Sequence, residues 1–318
     1  MRFRISRSVT NDIPLLHLHD ESGGVTISIA PDSGAMLHAF VVPLAEGPHN
    51  IIDNYINATD LQENLSRSYK SSKLSPFVCR IREARYQWEG QDYAFANKFA
   101  DGSAIHGLLF NKAFAVTEQV VTDFMASASF RYEYDAEDAG YPFRYACTIT
   151  YTLLPTQTLQ VQTTLENLDN RTIPIADGWH PYFSLGTKVD DCLLQFPAIG
   201  MLAFDDKLLP TGQTLPFDAF NNSAPVGSVS LDNCFVLEPG EQPVCVFLNP
   251  ANGVGIRFHT DGNYPYLQIY IPPHRESMAI ENLSAAPDAF NNKMGLLQLE
   301  AGKSQTYTLH YEVTVKKS

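Results

Sequence analysis

Apolar and polar residues alternate with a period of two along much of the chain. From Tyr145 to Leu153 the odd positions are Tyr145, Cys147, Ile149, Tyr151 and Leu153, with Thr148, Thr150 and Thr152 between them. The same alternation marks 25–29 (VTISI), 128–134 (ASFRYEY), 159–165 (LQVQTTL) and 307–315 (YTLHYEVTV). Strand side chains alternate between faces, so each segment predicts a strand with one buried and one wetted face. Turn-forming clusters separate them at 20–24 (DESGG), 138–142 (DAGYP), 249–253 (NPANG) and 261–263 (DGN). Short strands joined by Gly and Pro turns predict a sandwich or barrel. Helical periodicity is scarce. Residues 57–69 predict one short helix, with Thr59 as N-cap and Glu63 in its first turns. No βαβ rhythm appears, which removes a doubly wound fold. Length alone predicts about two domains. No linker, repeat or composition shift marks a boundary, so the expected fold is all-β. It is one large antiparallel β-sandwich over residues 1–318 with very few short helices.

Charge narrows the partners. The 318 residues carry 22 Lys+Arg against 35 Asp+Glu, a net charge of −13. A nucleic-acid backbone or an anionic membrane surface needs a basic face, so both are excluded as expected partners. No apolar run is long enough to span a membrane, and Arg2, Arg4 and Arg7 precede no signal-like apolar stretch. The five cysteines, Cys79, Cys147, Cys192, Cys234 and Cys245, are dispersed and form no C-x-x-C pair. That usage predicts buried, reduced thiols and a cytoplasmic location. The chain is expected to be a monomer or a weak homodimer.

Four segments place titratable residues in apolar or aromatic surroundings. His106 precedes Gly107 in 103–110 (SAIHGLLF), where a ligand can approach the backbone closely. Taken alone, a core histidine bonded to a carbonyl is the better reading. His180 sits among Trp179, Tyr182 and Phe183. Aromatic faces suit the apolar side of a sugar ring, which makes Trp179 and Tyr182 candidate substrate contacts; an aromatic core cluster is equally open. Asp232 opens the apolar run 232–237, where a turn aspartate is the plainer reading. Glu281 follows Met278, Ala279 and Ile280. A buried carboxylate is costly unless paired or functional, and burial raises its pKa toward the range of a general base. Arg80, beside 76–78 (PFV), is a candidate for sugar hydroxyls or for a surface ion pair. The His17-x-His19 pair reads as a surface strand end. No phosphate loop, H-E-x-x-H or G-x-S-x-G motif is present, so no cofactor, metal or covalent nucleophile is expected.

Taken in order, these segments resemble the aldose 1-epimerase (galactose mutarotase-like) family. The resemblance runs from 29–35 (IAPDSGA) through 76–81 (PFVCRI), 105–107 (IHG), 178–183 (GWHPYF) and 231–232 (LD) to Glu281 with 286–291 (APDAFN). It implies the galactose mutarotase-like supersandwich and interconversion of the α and β anomers of a free monosaccharide. It implies that Glu281 is the general base at the C1 hydroxyl and His180 the acid at the ring oxygen. It further implies that His106 supports the reacting oxygens, and that Asp232 and Arg80 hold sugar hydroxyls. Cys79 stands where many relatives carry Asn, and Leu108 where many carry a second Gly; both departures bear on sugar preference. Three other readings stay open. One is a hexose 6-phosphate substrate held by Arg80, Arg82, Arg85 and Arg275. Another is a catalytically silent carbohydrate-binding sandwich. The last is a metal site of two histidines and two carboxylates.

Overall fold

The computed structural model describes residues 1–240 and 242–315. The alternating segments form strands close to the expected bounds: Val25–Ala30, Ala126–Asp135, Arg144–Leu154, Thr158–Asn167 and Ser304–Thr314. The last four lie in a nine-stranded sheet, which continues through Gly255–Thr260 and Cys245–Leu248 to Leu193–Gln195 and Ala224–Pro225, with Ala115–Val121 at its other edge. Opposite it stands an eight-stranded sheet. Its path runs Pro210–Leu215, Ala198–Phe204, Asp232–Leu237, Tyr266–Tyr270, Met278–Leu283, Gly178–His180 and Ser72–Leu74; Tyr182–Phe183 also pairs with Met278–Leu283. A five-stranded N-terminal sheet spans Phe3–Thr10 to Gly47–Asn50. Every named pairing is antiparallel. The fold is a large antiparallel β-sandwich.

Aromatic side chains join the two large sheets. Tyr151 meets Trp179 edge-on at 6.1 Å, and Phe183 meets Phe258 and Tyr311 at 5.2 and 5.5 Å. Such offset contacts add to the burial of large apolar rings. Among the described residues, no helix is long and apolar enough to cross a membrane. All five cysteines are free and buried, as their dispersion predicts.

Two α-helices are present among the described residues, Ala58–Ser68 and Ala289–Asn292. The first differs from expectation at its start. Asn57, not Thr59, is the N-cap: its Oδ1 accepts from the Asp60 amide at 2.8 Å. Asn is among the best caps, and it lies outside the helix with extended backbone, as a cap must. Tyr69 ends the helix in left-handed conformation, with its amide bonded to the Leu65 carbonyl.

Gly107 has a strict steric role. Its φ is +76°, and a Cβ there would lie 2.4 Å from the Ser75 carbonyl oxygen. Gly107→Ala is therefore expected to cost about 2–3 kcal/mol, from the strained backbone and forced displacement together. Urea denaturation of the two proteins measures it; an unchanged midpoint would refute the steric role.

Candidate active site

The eight-stranded sheet sets out the cleft by register. Asp232 pairs with Tyr270, Tyr270 with Ala279, and Ala279 with Tyr182, which makes one row across the sheet. The next row runs from Cys234 through Gln268 to Glu281. Directly paired residues point to the same face. The pairs Gly178–Leu283 and Tyr182–Ala279 bracket His180 and set it opposite Glu281. Two residues far apart in sequence thus become cross-strand neighbours, and His180 Nε2 lies 3.4 Å from Glu281 Oε1.

His106 arrives from outside this sheet. It follows Ala104–Ile105, which pairs with Arg80–Ile81. Its φ is +58°, and its amide donates to the Cys79 carbonyl at 2.8 Å. That turn, completed by Gly107, aims the imidazole at His180, ring centroids 4.7 Å apart and edge to face. Tyr69 packs on the other side of His106 at 4.7 Å, and Tyr182 stacks on His180 at 5.2 Å. Arg80 reaches the cleft wall, with its Nε bonded to Asp101 Oδ2 at 3.0 Å. Asp232 accepts from Gln268 Nε2 at 2.9 Å. Together these residues line a cleft of about 210 Å³.

Burial dominates the electrostatics. It pushes the Glu281 carboxyl well above its ordinary value, with help from the Asp232 charge and against the pull of Arg80. It pulls His180 down to about 4 and His106 well below its ordinary value. Asp232 is also raised by burial, opposed by Arg80. Four cleft atoms are buried without a protein partner: His106 Nδ1, His180 Nδ1, Glu281 Oε2 and Gln268 Oε1. Buried polar groups normally find partners, so this concentration marks a surface built to meet a polar molecule.

The sequence reading and the structure differ at one candidate contact. Trp179 does not line the cleft. It precedes His180 on the strand Gly178–His180, so the period of two turns it into the sandwich, against Tyr151 and under the Lys73 ammonium. Of the two aromatic candidates only Tyr182 reaches the cleft. Arg82, Arg85 and Arg275 are likewise absent from its walls. Arg82 bonds Asp205, and Arg275 bonds Asp190 and the Gly227 carbonyl. Tyr69, Gln268 and Tyr270 line the cleft and carried no sequence motif. A signal existed: in Tyr266–Tyr270, the polar-edged residues Tyr266, Gln268 and Tyr270 alternate with Leu267 and Ile269.

The family model for aldose 1-epimerase matches residues 14–312 of the chain. The chain belongs to the aldose 1-epimerase family. Among its relatives is the uncharacterized protein YihR of Escherichia coli K12, 26% identical over 88% of this chain and 90% of that protein. The uncharacterized protein YphB of the same organism is also 26% identical, over 76% of this chain and 82% of its own length. A galactose mutarotase-like protein from Clostridium acetobutylicum has the same fold, with a TM-score of 0.88 at 16% identity over 99% of both chains. A galactose 1-epimerase from Lactobacillus acidophilus superposes with a TM-score of 0.81 at 16% identity over the whole of both chains. At these identities the solved structures speak to the fold of this aldose 1-epimerase family member, and the residues of its cleft must speak for the chemistry.

Proposed function

We propose that this aldose 1-epimerase family member interconverts the α and β anomers of a free aldose, with Glu281 as base and His180 as acid. The observation that carries this reading is the 3.4 Å approach of His180 Nε2 to Glu281 Oε1 in a buried cleft. Opening a cyclic hemiacetal needs a proton taken from the C1 hydroxyl and one given to the ring oxygen. Those two oxygens share one carbon, so base and acid must converge within a few ångströms. Glu281 accepts the hydroxyl proton, His180 protonates the ring oxygen, and the bond from C1 to the ring oxygen breaks. The aldehyde turns about C1–C2 and closes on its other face with the two roles exchanged. Arg80, Asp232 and Gln268 hold hydroxyls, Tyr182 forms a wall, and His106 supports charge at the reacting oxygens.

Proton placement follows from the same burial. Burial disfavours both the Glu281 carboxylate and the His180 imidazolium, so it favours the neutral pair, with the shared proton on Glu281. A bound sugar favours the exchanged state, since its C1 hydroxyl donates to a carboxylate and its ring oxygen accepts from an imidazolium.

The singly protonated pair is the working form. The rate is therefore expected to fall toward about pH 4, as His180 gains a second proton for the pair. It is expected to fall again at alkaline pH, where Glu281, raised above the ordinary carboxylate range, gives up the only proton. Polarimetry with freshly dissolved α-D-glucose and α-D-galactose across pH tests both the activity and its profile. The absence of any acceleration with a panel of aldoses sinks the reading; sugar binding without exchange identifies a silent carbohydrate-binding protein instead.

A further inference from the structure

We propose that His106, His180 and Glu281 also form a chelate for one divalent transition ion of the zinc or cobalt class, and that this ion excludes the sugar. Two imidazoles and a carboxylate come together here from three separate segments, all buried, with one donor atom from each within 4.8 Å of the others. Four-coordinate zinc, with bonds of about 2.0–2.1 Å, sets its donor atoms roughly 3.3 Å apart. His180 Nε2 and Glu281 Oε1, at 3.4 Å, already have that spacing. His106 completes the set by a ring shift, since its donor atom lies within 4.8 Å of the other two, and all three residues line the cleft.

The donor set selects the ion. Imidazole nitrogen with a single carboxylate suits Zn²⁺, Co²⁺ and Ni²⁺, whereas Mg²⁺ and Ca²⁺ want more oxygen donors. Glu281 Oε2 has no protein partner, so the carboxylate is free to pivot toward an ion. The affinity has a ceiling. His106 Nδ1 and His180 Nδ1 lack the hydrogen-bond acceptors that usually orient metal-bound rings, a difference of about 10–100-fold in affinity. The ion is thus a reversible inhibitor. The convergence that suits a base and an acid for one hemiacetal carbon also suits a chelate.

One competitor within the chain is the His17 and His19 pair. Its ring nitrogens are engaged by the hydroxyls of Ser8, Ser28, Ser6 and Thr26. The inhibition, unlike the binding, rests on the anomer-exchange reading.

The test is titration of the metal-free, full-length protein with Co²⁺, followed by visible d–d absorption. One equivalent is expected to bind, with Mg²⁺ giving no competition. The absorption is expected to weaken at least tenfold in His180→Gln and in Glu281→Gln, and to persist in His19→Asn. One equivalent of Zn²⁺ is expected to slow wild-type anomer exchange at least tenfold, with recovery on chelation. Absence of the bands, their survival in His180→Gln, or their loss in His19→Asn overturns the site. If Co²⁺ binds as described but exchange is never accelerated, the chelate stands and the anomer-exchange reading falls. If exchange is accelerated without Co²⁺ binding here, the chelate alone falls.

Discussion

Glu281→Gln is expected to slow anomer exchange by about 10³-fold while leaving the sandwich folded. General base catalysis contributes roughly 10²–10⁴-fold, and among the described residues lining the cleft the one other carboxylate is Asp232. Asp232 is the nearest candidate in the same cleft, but its Oδ1 is held by Gln268. The amide keeps the shape and one acceptor of the carboxylate, so sugar affinity should change far less than turnover. The substitution carries a second signature, in stability. The folded-state pKa of Glu281 stands above its unfolded value because burial penalises the charge. Its contribution is therefore present in acid and lost as pH rises through the window between those two values. Glutamine carries no charge to bury, so the variant should be less sensitive to alkali than the wild type. Thermal unfolding at pH 5 and pH 9, beside initial rates by polarimetry, reads both effects. Full activity in the variant removes Glu281 from the mechanism, and an unchanged pH dependence of stability removes the buried charge.

The aromatic partner of His180 shows what a sequence can and cannot specify about such a site. Both Trp179 and Tyr182 flank the histidine in the chain, and local composition gives them equal standing. The strand decides between them: a residue one position away faces the other side of the sheet. Placing His180 in the cleft sends Trp179 into the sandwich. The convergence of His180 with Glu281 is a sheet register, set by pairs such as Gly178 with Leu283, and no local pattern encodes it. The strands themselves were legible because alternation is a local property. The helix was legible too, but its cap was not, since Asn57 and Thr59 are both competent cap residues and composition does not choose between them. For Gln268 and Tyr270 the local signal is only the alternation with Leu267 and Ile269, which marks a strand face and does not say that the face is a site.

Lys73→Met is expected to be among the most destabilising single changes in the chain, at about 3–5 kcal/mol. Lys73 and Asp177 form a fully buried ion pair, with Nζ 2.6 Å from Oδ1. The ammonium also donates to Thr163 Oγ1 and to the Gly178 carbonyl, both at 3.2 Å, and lies over the Trp179 ring. The carboxylate accepts from the Tyr264 hydroxyl at 2.7 Å. Removing one partner strands the other charge in the core, and that penalty far exceeds the net worth of an intact buried pair. Burial already raises Asp177, with Lys73 as the largest opposing influence, so loss of the lysine should force the carboxyl to bind a proton. The double change Lys73→Met with Asp177→Asn removes both charges and keeps an acceptor for Tyr264, so it should recover most of the loss. The pair also lies directly behind the reacting strands. The Asp177 amide donates to Ser284 Oγ, and the Ser284 amide donates back to the Asp177 carbonyl, both at 2.8 Å. Those bonds tie the entry of the His180 strand to the exit of the Glu281 strand. A drop in melting temperature of about 5–7 °C in the single variant, largely reversed in the double, is the expected calorimetric result. Equal melting temperatures for the wild type and Lys73→Met would show that the buried charge finds another partner and that the two strands are held by their backbone pairing alone.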